Sequence, residues 1–288
     1  MNWKQTLFWS FSAAAIFYYF LLFGVFVFVG QEEMQLFIPE WWYIREFLFQ
    51  PGGFCAVAGQ WIIQYYRQPM SAVVLHTVLL VGCGFMVYRI LRCFSDKTYL
   101  LFLSLLPVLY LVKMSIHGEY LVDGTVGVVL MLLALSVSLK VRRAGSIAGY
   151  GIASTLFLCG LTGLLSVCYA FLYTLLALLR YKTSRQRLAA AACLIPALFI
   201  YLFSGWLGIP VPLSDGWMPE AYLEIQRLPH YYMYRVWTFF TLSIVGVALF
   251  ARFVPVIGEK SKWMDRVALV VCLITALVSI RFCLPEPW

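Results

Sequence analysis

Residues 146–180 string together about 35 positions whose only charge is the last. A helix crossing a hydrocarbon layer needs about 20 apolar residues, each rising about 1.5 Å. The stretch is too long for one crossing, and "CGLTG" interrupts it at 159–163. One continuous helix would leave the basic residues near 140 and near 180 on opposite faces of a bilayer. A hairpin of two short spans turning at 160–163 keeps both clusters on one face, and the hairpin is the expectation.

The same alternation of apolar run and short basic cluster fills the chain. Charged residues make up 12% and hydrophobic residues 63% of the 288, whereas a soluble domain carries about 25% charged residues. The runs between clusters give nine candidate spans, at about 7–29, 70–90, 99–112, 121–139, 146–160, 163–179, 188–207, 236–251 and 267–284. The expected fold is all-α: a single polytopic transmembrane bundle of eight or nine spans over residues 1–288.

Charge orients that bundle. With the N-terminus inside, fifteen of the 21 lysines and arginines fall on the cytoplasmic side, against three acids, Asp96, Glu259 and Asp265. Basic cytoplasmic loops are the rule for such proteins. The expected location is the bacterial inner membrane, with the N-terminus cytoplasmic and the C-terminus periplasmic. The net charge of +8 then reports orientation, and nucleic acid is not an expected partner. The run 7–29 follows Lys4 as a secretory signal would, but it exceeds an h-region, and Gly30 leads to Gln31, Glu32 and Glu33 with no small-residue cleavage site. An uncleaved first span is the expectation. The eight cysteines form no C-x-x-C pair and lie mostly in apolar runs, where cysteine packs as a small hydrophobe.

Two outer segments are long, 30–69 and 208–235, and loops of that length in a compact bundle often carry function. In the first, "EWWYIREFLF" places Trp41, Ile44 and Leu48 on one helical face. After the break at Pro51, Gly52 and Gly53, "FCAVAGQWIIQYY" places Phe54, Val57, Ala58, Trp61 and Tyr65 on one stripe and Gln60 and Gln64 on another. Two amphipathic, aromatic-rich helices lying along the lipid boundary are expected. They serve either as an aromatic belt or as the wall of a lateral entrance for a lipid substrate.

That arrangement resembles the GT-C class of glycosyltransferases, which use polyprenyl-phosphate sugars. Members of that class carry one or two acidic residues after the first span, followed by juxtamembrane helices. Glu32 and Glu33 match the position, and the two aromatic segments match the helices. A second acidic pair near the next outer loop is common in the class, and "KMSIHGEYLVDG" supplies Glu119 and Asp123, four apart. At family level, "GQEEMQLF" and "QPGGFCAVAGQWIIQYYRQP" resemble a Bacteroidota family of polytopic inner-membrane proteins of unknown function. The matching residues are Gln31, Glu32, Gln35, Leu36, Phe37, Pro51, Gly52 and Gly53. The resemblance implies that this chain is the membrane half, with an extracytoplasmic helical-repeat region or a protein partner beyond it.

The candidate chemistry follows from these placements. Glu32 or Glu33 is either a hydrated helix end, the general base that deprotonates an acceptor hydroxyl, or a metal ligand near a donor phosphate; adjacent helix residues point about 100° apart, and Glu32 is preferred. Glu119, Asp123 and His117 either seal a helix turn with Lys113 or hold substrate hydroxyls or a divalent cation, which is the one cofactor suggested. Arg227, His230 and Arg235 either snorkel to the interface or grip phosphate. No Walker A loop, G-x-S-x-G, H-E-x-x-H or dinucleotide fingerprint occurs. Two rivals to a lipid-linked sugar transferase stand: a non-catalytic anchor or subunit for an extracytoplasmic module, and a transporter.

Overall fold

In the computed structural model, residues 3–34, 37–116, 120, 122–163, 165–203, 231–253 and 260–281 are described, and they are helical apart from short turns. The helices are α1 (Trp3–Phe23), α2 (Val25–Met34), α3 (Trp41–Leu48), α4 (Gly53–Ile63), α5 (Pro69–Leu91), α6 (Tyr99–Leu103), α7 (Leu106–Met114), α8 (Val122–Ser138), α9 (Ala144–Thr162), α10 (Leu165–Arg180), α11 (Ser184–Ala191), α12 (Leu194–Leu202), α13 (Tyr231–Phe253) and α14 (Lys260–Arg281). A 3-10 turn, Gln64–Arg67, joins α4 to α5.

Four stretches are long and apolar enough to cross a membrane: Trp3–Phe23, Pro69–Leu91, Ala144–Thr162 and Ser184–Leu202. Four others are apolar but shorter: Tyr99–Met114, Val122–Ser138, Leu165–Arg180 and Phe239–Arg252. Prolines divide two of these eight. Pro107 and Pro196 each lack an N–H and crowd the carbonyl four residues back. The helical run therefore breaks between α6 and α7, where the Ser104 hydroxyl donates to the Leu101 carbonyl at 2.7 Å, and between α11 and α12.

The chain reverses between α9 and α10 at Gly163, whose φ of +61° favours glycine, and the two helices pack against each other. The tip of this hairpin docks on the loop before α4, where the Gly52 N–H donates to the Gly160 carbonyl at 3.2 Å. The basic loops at 140–143 and 180–187 lie at the opposite end of α9 and α10. At the first helix, Gly24 joins α1 to α2; a Cβ there would lie 2.9 Å from the Phe28 ring, so glycine lets Phe28 fold back onto Phe20 at 5.3 Å between centroids.

α5 and α8 form the centre, with α1 and α2 against α5, and α4 and α9 against α8. α4 turns its small residues inward: Cys55, Ala56 and Gly59 are buried, together with Ile63. Phe54, Trp61 and Tyr65 of the predicted stripe face outward, with those side chains 41–51% exposed. Small residues win the inner face because they let the α4 backbone approach α8 closely. α3 has no buried residue and is tied to α4 by the Tyr43 hydroxyl, which donates to Gln60 Oε1 at 3.0 Å.

Candidate functional site

Asp123 stands in the first turn of α8 and is fully buried. Its carboxyl rests on the backbone of α4: a Cβ built on Gly59 would lie 1.5 Å from Oδ1 and 3.1 Å from the Asp123 Cα. Neither carboxyl oxygen has a hydrogen-bond partner among the described residues. Burying a polar group unpaired is costly, and burying it as a charge costs more. A group kept under those terms is a candidate for function.

Its neighbours are polar, buried and uncharged. Gln31, on the inner face of α2, donates from Nε2 to the Tyr120 carbonyl at 2.7 Å, which ties the end of α2 to the start of α8. That bond leaves Gln31 Oε1 buried without a partner among the described residues. The Tyr120 hydroxyl shares a hydrogen bond with Thr125 at 3.0 Å. One turn back on α2 from Gln31, Phe28 stacks on the His76 ring at 4.2 Å and 9° and meets the Tyr66 ring at 5.5 Å. The Tyr66 hydroxyl shares a hydrogen bond with His76 Nε2, and His76 Nδ1 has no partner among the described residues. Burial, and after it the negative charge of Asp123, pushes the Tyr66 hydroxyl well above the ordinary tyrosine range. The same two causes push the Cys55 thiol up. Both groups therefore stay protonated, so Cys55 is a packing residue beside the carboxyl and not a thiolate nucleophile.

This pairing is open to a direct check. Tyr66→Phe leaves both His76 ring nitrogens unpaired among the described residues and is expected to destabilise the purified protein by about 1–3 kcal/mol. Thermal unfolding in detergent measures it. Adding His76→Leu should recover part of the loss, because two apolar groups replace a broken polar pair.

The sequence candidates fare differently from one another. Asp123 is at the centre of the cluster. Glu32 is half-buried and Glu33 exposed on the outer side of α2, and it is their neighbour Gln31 that turns inward. Arg235 belongs to α13, where its side chain lies outside the described set; Glu119, His117, Arg227 and His230 also lie outside the described residues. Among the described residues no three His, Cys, Asp or Glu side chains group to hold a metal. Tyr66, His76, Tyr120 and Thr125 escaped sequence reasoning, and Gln31 entered it only as a residue of the family resemblance. The available signal was His76 itself, a polar ring in the apolar run "SAVVLHTVLLVG".

On the outer side of α4 and the 3-10 turn, an open groove of about 440 Å³ is lined by Trp61, Ile62, Tyr65, Met70, Val74 and Leu75, with Ser71 its polar exception. Ile63 and Tyr66, from the same segment, face the buried cluster. The wall that carries the groove outside thus carries the polar site inside.

An all-helical bundle with four helices of membrane-crossing length is that of a helical membrane protein. The chain belongs to a family of unknown function, DUF6057, whose model matches residues 1–282. Comparison with curated proteins and with solved structures finds no match.

Proposed function

We propose that this is a multi-pass protein of the bacterial inner membrane, with eight or nine spans and a cytoplasmic N-terminus, that acts on a lipid-linked polyprenyl-phosphate sugar at the outer face. The observation that carries the reading is the full burial of Asp123 with both oxygens unpartnered among the described residues. In this reading Asp123 accepts the proton of an acceptor hydroxyl, and Gln31 Oε1 helps to position that hydroxyl. Glu119 and His117 would supply ligands for a divalent cation, Arg227, His230 and Arg235 would bind the phosphate, and Glu32 is the alternative base. The groove along Trp61, Tyr65 and Met70 suits the lipid chain. The four shorter apolar helices beside the four long ones support the span count.

The test is turnover of a polyprenyl-phosphate sugar by the purified protein, comparing the native chain with Asp123→Asn and Glu32→Gln. A positioned general base is worth about 10²–10⁴-fold, so Asp123→Asn should lose at least about a hundredfold in rate while melting at the native temperature. Equal turnover removes Asp123 as the base, and a larger loss in Glu32→Gln returns that role to Glu32. The enclosure of Asp123 between α4 and α8 also favours a second reading, a carrier in which the carboxyl takes up and releases a proton. Proton uptake abolished by Asp123→Asn, in a protein with no transferase turnover, selects it. A chain that does neither is an anchor for an extracytoplasmic partner.

A further inference from the structure

The basic loops at the far end of the bundle take no part in the site around Asp123. Lys140, Arg142 and Arg143 lie between α8 and α9; Arg180 ends α10, and Lys182, Arg185 and Arg187 lead into α11. No acidic residue occurs between Asp123 and Asp215, so the seven cations have no acid in their own stretch. Two described acids, Asp96 and Asp265, lie on other segments, the loop before α6 and α14. Asp96 binds Arg92 at 2.9 Å, and Asp265 Oδ2 accepts from the Thr98 hydroxyl at 3.1 Å while its Oδ1 is buried without a partner among the described residues.

Hydrogen bonds hold the two loops together despite their like charge. The Tyr181 hydroxyl donates to the Val141 carbonyl at 2.7 Å. The Gln186 amide donates to the Arg142 carbonyl at 2.7 Å, and Arg187 Nε donates to the Tyr181 carbonyl at 2.9 Å. These bonds use backbone acceptors and leave the cationic heads of Lys140, Arg142, Arg143, Lys182 and Arg185 exposed. Arg180 is half-buried, with Nη1 buried and unpartnered among the described residues. Backbones locked together under unneutralised charge form a site prepared for an anion.

The surroundings choose the kind of anion. Apolar side chains flank the cations: Leu178 is 42%, Leu188 77% and Val137 50% exposed. A phosphate with acyl chains satisfies both halves of that surface, whereas a free anion would leave the apolar half unused. We propose that the paired loops at 140–143 and 180–187 bind the phosphate headgroup of anionic membrane lipid, with the lipid chains lying along α10 and α11.

The test uses the full chain purified in detergent and native mass spectrometry with added phosphatidylglycerol, cardiolipin or phosphatidylcholine. The native protein should retain the two anionic lipids and release phosphatidylcholine. Arg142→Gln, Arg143→Gln and Arg185→Gln combined should weaken retention by at least about tenfold, since each cation near an anionic surface contributes about fivefold. Arg45→Gln with Arg67→Gln, in the segment before α5, should leave retention unchanged. Unchanged melting temperatures establish that the variants are folded. Equal retention by the triple variant, or equal retention of phosphatidylcholine, overturns the proposal. Displacement of the anionic lipid by millimolar inorganic phosphate alone also overturns it, in favour of a soluble ligand.

Discussion

Replacing Gly53 with alanine is expected to unseat α4 and to destabilise the protein by about 3 kcal/mol or more. A Cβ at position 53 would lie 1.7 Å from the Phe47 carbonyl oxygen and 2.5 Å from its carbon. Overpacking costs about 1–3 kcal/mol where a side chain can yield, but here the opposing atoms are backbone. That backbone is held in place: the Gln50 N–H donates to the Phe47 carbonyl at 2.9 Å, and the Gly53 N–H donates to the Gln50 carbonyl at 3.0 Å. The methyl can enter only if α3 separates from α4. Gly52 is the internal comparison. Its φ of +87° makes alanine there unfavourable by about 1–2 kcal/mol. Thermal unfolding in detergent should therefore rank native above Gly52→Ala above Gly53→Ala, with the tryptophan fluorescence of Trp41 and Trp42 shifting in the last. Gly53→Ala melting at or above Gly52→Ala would show that the turn adapts more freely than its hydrogen bonds allow.

The second large effect is an interaction between two positions. Gly59→Ala drives a methyl into the Asp123 carboxyl, at 1.5 Å from Oδ1, and is expected to destabilise by about 2–3 kcal/mol. Asp123→Ala alone removes a buried group that lacks hydrogen-bond partners among the described residues, so its stability change should be small or favourable. In the double variant the added methyl occupies space that the carboxyl has left. A contact of 3.1 Å with the residue 123 Cα remains, so relief is partial. The cycle should show a coupling energy of about 1–3 kcal/mol. Additive effects would mean that Asp123 does not sit on Gly59. The same cycle bears on function: a variant that keeps or gains stability while losing turnover is the signature of a residue retained for its chemistry at a cost to the fold.

Both predictions concern α4, and the reason is structural. Its entry rests on Gly52 and Gly53, its middle on Gly59, and the hairpin tip docks on the loop before it. It separates the buried carboxyl from the open groove, so a shift of α4 changes both at once.

The linear pattern of residues was enough to establish the helices themselves. Apolar runs bounded by basic clusters marked α1, α5, α8 and the α9–α10 pair, because the length of an apolar run and the charge at its ends are properties of the chain alone. "QPGG" marked the entry to α4, and "CGLTG" the reversal at Gly163, because glycine and proline act on the local backbone wherever they stand. Asp123 was also legible, as an acid at the start of an apolar run. The rotation of each helix was not. Helices such as α1 and α5 are apolar all round, so no stripe announces which side faces in, and contacts between helices decide it. That is how Gln31 rather than Glu32 came to face α8, how His76 found Tyr66, and how the bare backbone of Gly59 became the seat of a carboxyl 64 positions further along the chain.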